Sequence, residues 1–529
     1  MKNRFLFFLC LLTGAFLYAQ QQRPGLYAGD NFQGEMDFYD ALDWIKMNAQ
    51  DGGDYSIVLG TSFAASSSAL DCNGKSVSIA LKTSEADVQI TYATRSPSSS
   101  LFTVKKGVSF VLENGVELVG RPNASRPPVT VDGGNFIMNG GSIKDSKVDI
   151  ENWFGGGVDI INGGSFTMNG GRISENSCSA GGAGINVGEN STFILNDGYI
   201  EKNSITGRGS GTGFGGGVFV NKNAVFTMNG GSIKENTATY GNGYGGGGGV
   251  YVNGAFTMVD GAIYKNACVA SNSNDMHGRG GGVCVSGDGA FIMQNGQICF
   301  NADGGVYLSR SILSEYIHGT GSAKFTMNGG EIKLNTGNVA GTGVHVNGTF
   351  EMNNGIIRAH SDDKGAGVCI ENGTFTMNGG SISENSAWGT TYSSVGGGGV
   401  YVSANGKFIM NDGIIEKNTA FENSIGGGGV LVDGSFTMNG GVISGNNTTK
   451  SGGGVFVSYS NGVFQTYVSP FIKSNTAGII YGSDAPEDKA NKADEYGHAV
   501  YTKNGSRDTT ARKTMALDST KEGAEGGWE

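Results

Sequence analysis

A short motif recurs eleven times in register between Phe136 and Met438 of this 529-residue chain. Each copy begins with Phe-x-Met or a near copy, continues with a polar residue and a glycine turn, and ends on Ile, as in FTMNGGRI at 166–173. Most copies follow a glycine run and a Val-x-Val, and successive Val-x-Val pairs lie 23 to 38 residues apart. Such a period is typical of solenoids, in which one coil buries its apolar side chains only against its neighbours.

The repeat predicts three short strands in each coil. Phe and Met, two residues apart, form one strand, the Ile after the glycine turn lies on a second, and the alternating valines form a third. Glycines, 94 in all, mark the corners because they adopt positive φ at little cost. We therefore predict an all-β fold, a single-stranded right-handed parallel β-helix. Most variation in repeat length follows a recurrent Asn, so we expect the insertions to leave from one corner.

The first residues of the chain predict export. Residues 1–19 combine Lys2 and Arg4 with an apolar run and a small residue, Ala19, in the order found in a signal peptide. After Ala19 no apolar stretch approaches the roughly 20 residues of a membrane-spanning helix, so we expect no transmembrane segment in the mature chain. The predicted location is the cell surface, the outer membrane or the extracellular space, with the periplasm as an alternative.

A short helix is predicted over residues 37–49, where Phe38, Leu42 and Ile45 share one face and Asp37 can cap the start. Such a helix would cover the open end of the first coil, whose backbone groups are otherwise unpaired. The chain then divides into a signal peptide (1–19), an N-terminal cap with irregular first coils (20–130), regular repeats (131–481) and a polar C-terminal segment with a last degenerate coil (482–529).

A second recurrent residue is an asparagine that follows the Ile of most copies after two intervening residues. An amide can donate to the coil above and accept from the coil below, so a buried column of amides satisfies itself. We therefore predict a structural ladder, and His360 stands where one Asn is due. Its predicted members are Asn176, Asn203, Asn236, Asn266, Asn301, Asn335, Asn385, Asn418 and Asn446, with Asn475 as a further rung.

Composition restricts the partners and the redox chemistry. Without Lys2 and Arg4 the chain keeps 34 basic and 47 acidic side chains, a net charge of −13, which argues against nucleic acid as a partner. Six cysteines remain after export. Cysteines in one column, such as Cys284 and Cys369, lie three coils apart, about 14 Å, which is too far for a disulfide, so we expect free thiols.

The best candidate binding residues lie between the paired valines, where side chains must point away from the core. This position is unusually aromatic, and an outward row of aromatic rings can stack on sugars or pack against a protein. Aromatic residues also favour half-buried sheet positions, where they cover one another. The candidates are Phe219, Tyr251, Tyr307, Tyr401 and Phe456.

Catalytic, metal and cofactor sites are not predicted. Asp197, Asp260 and Asp412 stand in glycine turns, where Asp-Gly is ordinary turn chemistry, and no two of them occupy adjacent coils. Asp159 stands on a strand, and Asp362 with Asp363 in a loop. The five histidines, His277, His318, His345, His360 and His498, lack the close spacing of a metal site.

The paired glycine-apolar and Phe-x-x-Asn segments resemble the repeats of chlamydial polymorphic outer-membrane proteins. Examples are Gly216-Gly217-Val218 and Phe166 to Asn169. The pattern is similar also to the glycine-rich right-handed β-helix repeat proteins of spirochaetes and gut bacteria, and the resemblance covers about residues 130 to 480. It implies a pectate-lyase-like solenoid and surface display with adhesion. Residues 482–529 are too short for the C-terminal membrane barrel of the chlamydial proteins.

These observations favour an exported, adhesin-like interaction protein that binds a glycan or a host or cell-surface protein through corner loops and the aromatic row. One alternative is a carbohydrate-active enzyme on the same fold, a polysaccharide lyase or glycosidase. Such an enzyme needs converging carboxylates or a calcium site with a basic residue. A passive antigenic surface protein is the other alternative, for which the spread of loop lengths on a constant coil is suggestive.

Overall fold

The computed structural model is an all-β parallel solenoid of about 11 turns with one helix near its N-terminus, which confirms the predicted fold class. The predicted signal peptide and Asn475 lie outside the residues that it describes. Those residues are 24–458 except 85–86, 95–96, 151–152, 207–212, 241–244, 271–279, 310–321, 338–340, 363, 389–395 and 422–423, together with 463–466, 479–480, 491–493, 500–502, 516–517 and 527–528.

The Phe-x-Met strands form one long sheet, which we call the Phe sheet. From the third strand below onward its pairs are parallel and in register, so that Phe136 lies beside Phe166 and Phe166 beside Phe193. Its 17 strands are Gly25–Ala28, Asn31–Gly34, Gly53–Leu59, Val77–Thr83, Val108–Leu112, Asn135–Met138, Ser165–Met168, Thr192–Leu195, Val225–Met228, Ala255–Met258, Ala290–Met293, Lys324–Met327, Thr349–Met352, Thr374–Met377, Lys407–Met410, Ser435–Met438 and Val463–Thr466.

The strands that follow the glycine turn form a second sheet, the Ile sheet, whose central residue points into the core. Ile143 pairs with Ile173, and Ile173 with Ile200. Its 16 strands are Phe63–Ala65, Val88–Tyr92, Val116–Val119, Ser142–Lys144, Arg172–Ser174, Tyr199–Glu201, Ser232–Lys234, Ala262–Tyr264, Gln297–Cys299, Glu331–Lys333, Ile356–Arg358, Ser381–Ser383, Ile414–Glu416, Val442–Ser444, Ile479–Ile480 and Ala516–Leu517.

The Val-x-Val strands form the third side, the Val sheet, and its last strand pairs antiparallel. Its 16 strands are Ser68–Leu70, Phe102–Lys105, Val129–Asp132, Val158–Ile161, Ile185–Val187, Val218–Val220, Val250–Val252, Val283–Ser286, Val306–Ser309, Val344–Val346, Val368–Ile370, Val400–Val402, Val430–Val432, Val455–Val457, Val500–Thr502 and Gly527–Trp528. Smaller sheets lie between the Ile and Val sheets: Ser177–Cys178, Ser204–Thr206, Thr237–Tyr240 and Ala267–Ala270; Gly213–Phe214 and Gly245–Gly246; Ser361–Asp362, Ser386–Ala387, Thr419–Ala420, Asn447–Thr448 and Lys492–Ala493.

The predicted helix spans Phe38–Asn48 and begins at Asp37, whose side chain accepts a hydrogen bond from the Asp40 amide at 2.8 Å. Phe38, Leu42 and Ile45 are buried as expected. Phe38 packs against Phe102, with ring centroids 5.9 Å apart, so the helix covers the apolar end of the first coils.

Inside the solenoid, identical side chains stack from coil to coil. Neighbouring phenylalanine rings from Phe110 to Phe436 have centroids 4.6 to 5.5 Å apart and nearly parallel planes. Each such pair is worth about 0.5 to 1.5 kcal/mol beyond the area that it buries. The six cysteines of the described chain are buried free thiols, as the column spacing predicts.

The recurrent asparagines form a buried ladder in which each amide is fully hydrogen-bonded. Nδ2 of Asn203 donates to Oδ1 of Asn236 on the next coil and to the carbonyl oxygen of Ile173 on the preceding coil, both at 3.0 Å. Its Oδ1 accepts from the backbone amide and Nδ2 of Asn176, both at 3.1 Å. The described buried rungs are Asn176, Asn203, Asn236, Asn266, Asn301, Asn335, His360, Asn385, Asn418, Asn446 and Asn491.

Two sequence expectations about the coil need correction. The rung after Asn446 is Asn491, whose Oδ1 lies 3.0 Å from Nδ2 of Asn446, whereas the sequence placed Asn475 there. The expectation of one insertion corner is wrong for at least one coil, because residues 310–321 lie between a strand of the Val sheet and one of the Phe sheet. Both errors concern irregular coils, whose sequences depart from the repeated motif and so do not predict the position of a rung or an insertion.

Candidate functional site

The aromatic row of the Val sheet is buried, so the expectation that it forms an exposed binding surface is wrong. Phe219, Tyr251, Tyr401 and Phe456 are between 0% and 9% exposed, and Tyr307 is half-buried. These side chains do point away from the main core, but they form two separate apolar clusters with residues of the covering segments. The row is therefore a packing layer outside the sheet.

The segment that returns from the Ile sheet covers this row. Phe214 precedes a glycine run and packs on Tyr251, with ring centroids 4.7 Å apart, while Phe219 and Tyr251 stack on each other at 5.5 Å. Gly215 has φ of +65°, and a Cβ there would lie 2.2 Å from the carbonyl oxygen of Val218. Glycine is thus required because the covering backbone runs directly over the sheet.

A polar groove lies at a different corner, where the glycine turn joins the Phe sheet to the Ile sheet. We call it the corner groove, and its volume is about 780 Å³. It extends over four consecutive coils, and its walls carry amide and carboxylate side chains. Its lining residues are Asp260, Gly261, Ala262, Gln294, Asn295, Gly296, Gln297, Asn328, Gly329, Gly330, Glu331, Asn354, Gly355 and Ile356.

The floor of the corner groove is backbone because every coil places a positive-φ glycine there. Gly261, Gly296, Gly330 and Gly355 have φ between +82° and +105°. A Cβ on Gly296 would lie 2.6 Å from the Cε atom of Met258 and 2.6 Å from the carbonyl oxygen of Gly261. The methionine end of the core therefore closes the floor from below and excludes any larger residue.

One wall of the groove belongs to an outer ladder of amides that sequence reasoning did not predict. Nδ2 of Asn328 donates to Oε1 of Gln294 at 3.0 Å, and Nδ2 of Asn353 donates to Oδ1 of Asn328 at 2.9 Å. The signal was present as the Asn that closes the Phe-x-Met-Asn motif. The outer ladder comprises Asn139, Asn169, Asn196 and Asn229, and then Gln294, Asn328, Asn353, Asn378, Asn411 and Asn439.

The opposite wall carries Glu331, which is held ionised. Burial opposes ionisation, but hydrogen bonds from Lys333 and Arg358 outweigh it and lower the pKa of this carboxyl. Nε of Arg358 lies 2.6 Å from Oε1 of Glu331. Asp260, two coils away, accepts a hydrogen bond from the Gly261 amide at 2.8 Å, so it also shapes the turn. Gln297 projects from the same wall and is exposed.

The other acidic and histidine candidates are dispersed over the solenoid. Asp159 is buried on the outer side of the Val sheet, and burial raises its pKa to about 6 although Asn186 donates to it at 2.7 Å. His360 lies in the buried ladder, and His345 stacks on Tyr307 at 4.4 Å. Asp363, His277, His318 and His498 lie outside the described residues.

Metal binding has no candidate in the part of the chain that the structure describes. Within these residues, no three His, Cys, Asp or Glu side chains group closely enough to hold an ion. Among the same residues, no helix has the length and apolar character needed to cross a membrane.

Comparison with known proteins adds no family assignment. No protein-family profile, curated protein or solved structure matches this chain.

Proposed function

We propose that this protein is an exported β-helix that binds a glycan through the corner groove without cleaving it, at the cell surface or as a secreted protein. The observation that carries the proposal is the groove itself, a glycine floor between polar walls over four coils. The signal-peptide pattern and the resemblance to chlamydial and spirochaete surface repeats support export and adhesion. The aromatic row has no part in this proposal because it is buried.

Amide side chains suit sugar hydroxyls because each amide both donates and accepts. An outer-ladder amide uses one N–H and its oxygen for the neighbouring rungs, which leaves a second N–H and an oxygen lone pair at the surface. Gln297 has its whole amide available at the wall. A surface of many such donor and acceptor positions matches a polyhydroxylated ligand better than an apolar one.

Charge further restricts the ligand. Asp260 and Glu331 line the groove, and the cations nearest to Glu331 are already engaged with it. An acidic polysaccharide or a nucleic acid would therefore meet repulsion here, in a chain whose net charge is −11. The groove favours an uncharged glycan.

A carbohydrate-active enzyme is the second candidate, because the groove contains two carboxylates. Asp260 stands in a turn and Glu331 on a strand two coils away, about 10 Å along the axis alone, so their separation exceeds the range for an inverting hydrolase. Such an enzyme needs one carboxyl that keeps its proton, whereas the pKa of Glu331 is lowered by Lys333 and Arg358. Binding without hydrolysis is the better fit to this environment. A passive antigenic surface protein would bind no glycan at all.

A glycan array with the purified chain from residue 20 onward tests the proposal. We expect retention of an uncharged glycan and about a tenfold loss of affinity in Gln297→Ala, since a neutral hydrogen bond contributes about 0.5 to 1.5 kcal/mol. Ser381→Ala is the matched control, because Ser381 occupies the equivalent strand position outside the groove.

A reducing-sugar assay on the retained glycan separates binding from hydrolysis. We expect no release of reducing ends over hours. Sustained release that is abolished in Asp260→Asn would establish the enzyme instead. If no glycan is retained, the passive antigenic surface protein is the remaining candidate function.

A further inference from the structure

The outer amide ladder is interrupted at one coil, and this coil forms the beginning of the corner groove. Val259 stands beside Gln294 on one side and Asn229 on the other, in the register set by the methionines that precede them. Val259 is 40% exposed, so the interruption places an apolar surface patch among amides. The adjoining Asp260 and Gly261 line the groove.

The interruption leaves two amide groups without their ladder partners. Asn229 donates to Asn196 at 2.8 Å, and Gln294 accepts from Asn328 at 3.0 Å, so the ladder is intact on both sides. Within the described residues, Oδ1 of Asn229 receives no hydrogen bond and Nε2 of Gln294 donates none. These groups flank Val259 about 10 Å apart, two coil spacings.

We infer that the ligand is a linear, uncharged glycan that lies along the solenoid axis, with one sugar ring seated on Val259 between Asn229 and Gln294. This inference rests on the proposed function and adds its orientation and its anchoring position. The apolar C–H face of a pyranose covers Val259, while its hydroxyls donate to Oδ1 of Asn229 and accept from Nε2 of Gln294. The ring thus restores both ladder hydrogen bonds that the valine removes.

The repeat of the groove fits the repeat of a sugar chain. Coils follow one another at about 4.8 Å, close to the length of one pyranose unit in an extended chain, so each further coil offers its amides to one further sugar. An extended polypeptide advances only about 3.3 Å per residue and would lose this register within two coils. Four coils of the groove therefore correspond to about four sugars.

Closing the ladder tests the anchoring position. In Val259→Asn, the new amide can donate to Asn229 and accept from Gln294, so we expect an unchanged or higher unfolding midpoint together with at least a tenfold loss of glycan affinity. Asn411→Val is the matched control, because it interrupts the same ladder outside the groove. We expect this control to bind normally and to unfold at an equal or lower midpoint. Unchanged affinity in Val259→Asn would overturn the inference.

Oligosaccharide length tests the orientation. Calorimetric titrations use oligomers of one to six units of β-1,4-linked glucose, N-acetylglucosamine and mannose, and of α-1,4-linked glucose. We expect affinity for at least one series to rise up to about four units. A plateau at one or two units, or binding to none of the four while the array retains a branched or acidic glycan, overturns the inference but leaves glycan binding. Binding of no glycan in either experiment overturns both.

Discussion

His360 shows how one residue of a buried ladder sets a pH response. The imidazole replaces an amide, with Nδ1 placed to donate to Oδ1 of Asn385 at 2.9 Å and Nε2 placed to accept from Nδ2 of Asn335 at 3.2 Å. Both contacts require the neutral ring with its proton on Nδ1. Burial lowers the pKa of His360 to about 4 although Asn385 favours the charged form.

We expect His360→Asn to remove an acid-sensitive part of the stability. Because the folded pKa lies below the ordinary value, the unfolded chain takes up the proton first, and stability falls as pH decreases from about 6.5 to 4. The wild type should lose up to about 3 kcal/mol relative to the variant across this window. Denaturation midpoints of both proteins at pH 4, 5, 6 and 7.5 measure it, and a constant difference would contradict the assigned environment.

For Asp159 we expect stability to change with pH in the direction opposite to that for His360. Burial raises its pKa to about 6, so the folded state favours the protonated carboxyl and stability falls as pH rises from about 4 to 6. We expect Asp159→Asn to be more stable than the wild type at pH 7.5, by up to about 3 kcal/mol, and similar to it below pH 4. The new amide can also donate to Oδ1 of Asn186, which is buried and has no partner in the described structure. Equal midpoints at pH 7.5 would contradict this expectation.

At the scale of the strand and turn, the sequence predicts what repeats in register. The phenylalanine column and the buried ladder follow from residue types that recur at fixed positions, and the helix over Phe38–Asn48 follows from its apolar face and its cap at Asp37. The burial of Phe219 and Tyr251 does not, because it depends on covering segments whose lengths and sequences vary between coils. The sequence does not predict the corner groove, because glycines and an Asp at these positions indicate only a turn.

The left-handed turn before each ladder rung from Asn176 to Asn446 was also not predicted. Non-glycine residues at this position have φ between +53° and +59°. Such a conformation is uncommon outside glycine, but here the following rung fixes the turn through hydrogen bonds to both neighbouring coils, as Asn203 does with the three hydrogen bonds that it donates. The residues are Glu175, Lys202, Glu235, Lys265, Phe300, Leu334, Ala359, Glu384 and Lys417.

The two ladders predict different costs for the same substitution. Asn236→Ala leaves the Ile200 carbonyl and two donors on Asn203 without these partners in the interior and removes one of the two hydrogen bonds that Oδ1 of Asn266 accepts, so we expect a loss of at least about 3 kcal/mol. Asn411→Ala in the exposed outer ladder should cost under about 1 kcal/mol, because water replaces the lost bonds. Guanidinium denaturation of both variants measures the two losses of unfolding free energy. Equal losses would show that burial does not determine the effect of the substitution.

At the scale of the whole molecule, the chain is a one-dimensional array whose coils contact chiefly their neighbours. Removal of one complete coil should therefore leave the others in place. Residues 226–255 form such a unit of 30 residues, because Val225 and Ala255 occupy the same position in adjacent strands. The deletion joins Val225 directly to Phe256 and preserves every column.

We expect the protein without residues 226–255 to fold, with a β-rich circular dichroism spectrum and a cooperative thermal transition. Deletion of residues 226–240 is the control. It removes a strand of the Phe sheet and one of the Ile sheet but keeps the Val-sheet strand of the same coil, so the strands that follow can no longer pair in register. We expect this control to aggregate or unfold. A folded half-coil deletion together with an unfolded full-coil deletion would refute the array description.

The covering segments of the Val sheet have a practical consequence. Their lengths vary from coil to coil, but the strands on both sides keep their register. The packing of the strands therefore does not depend on the length of the segment that joins them. A foreign peptide spliced in after a ladder rung would therefore be carried at a fixed height along the axis. Several different peptides could be grafted onto successive coils. The choice of coils would then set the distances between the presented epitopes.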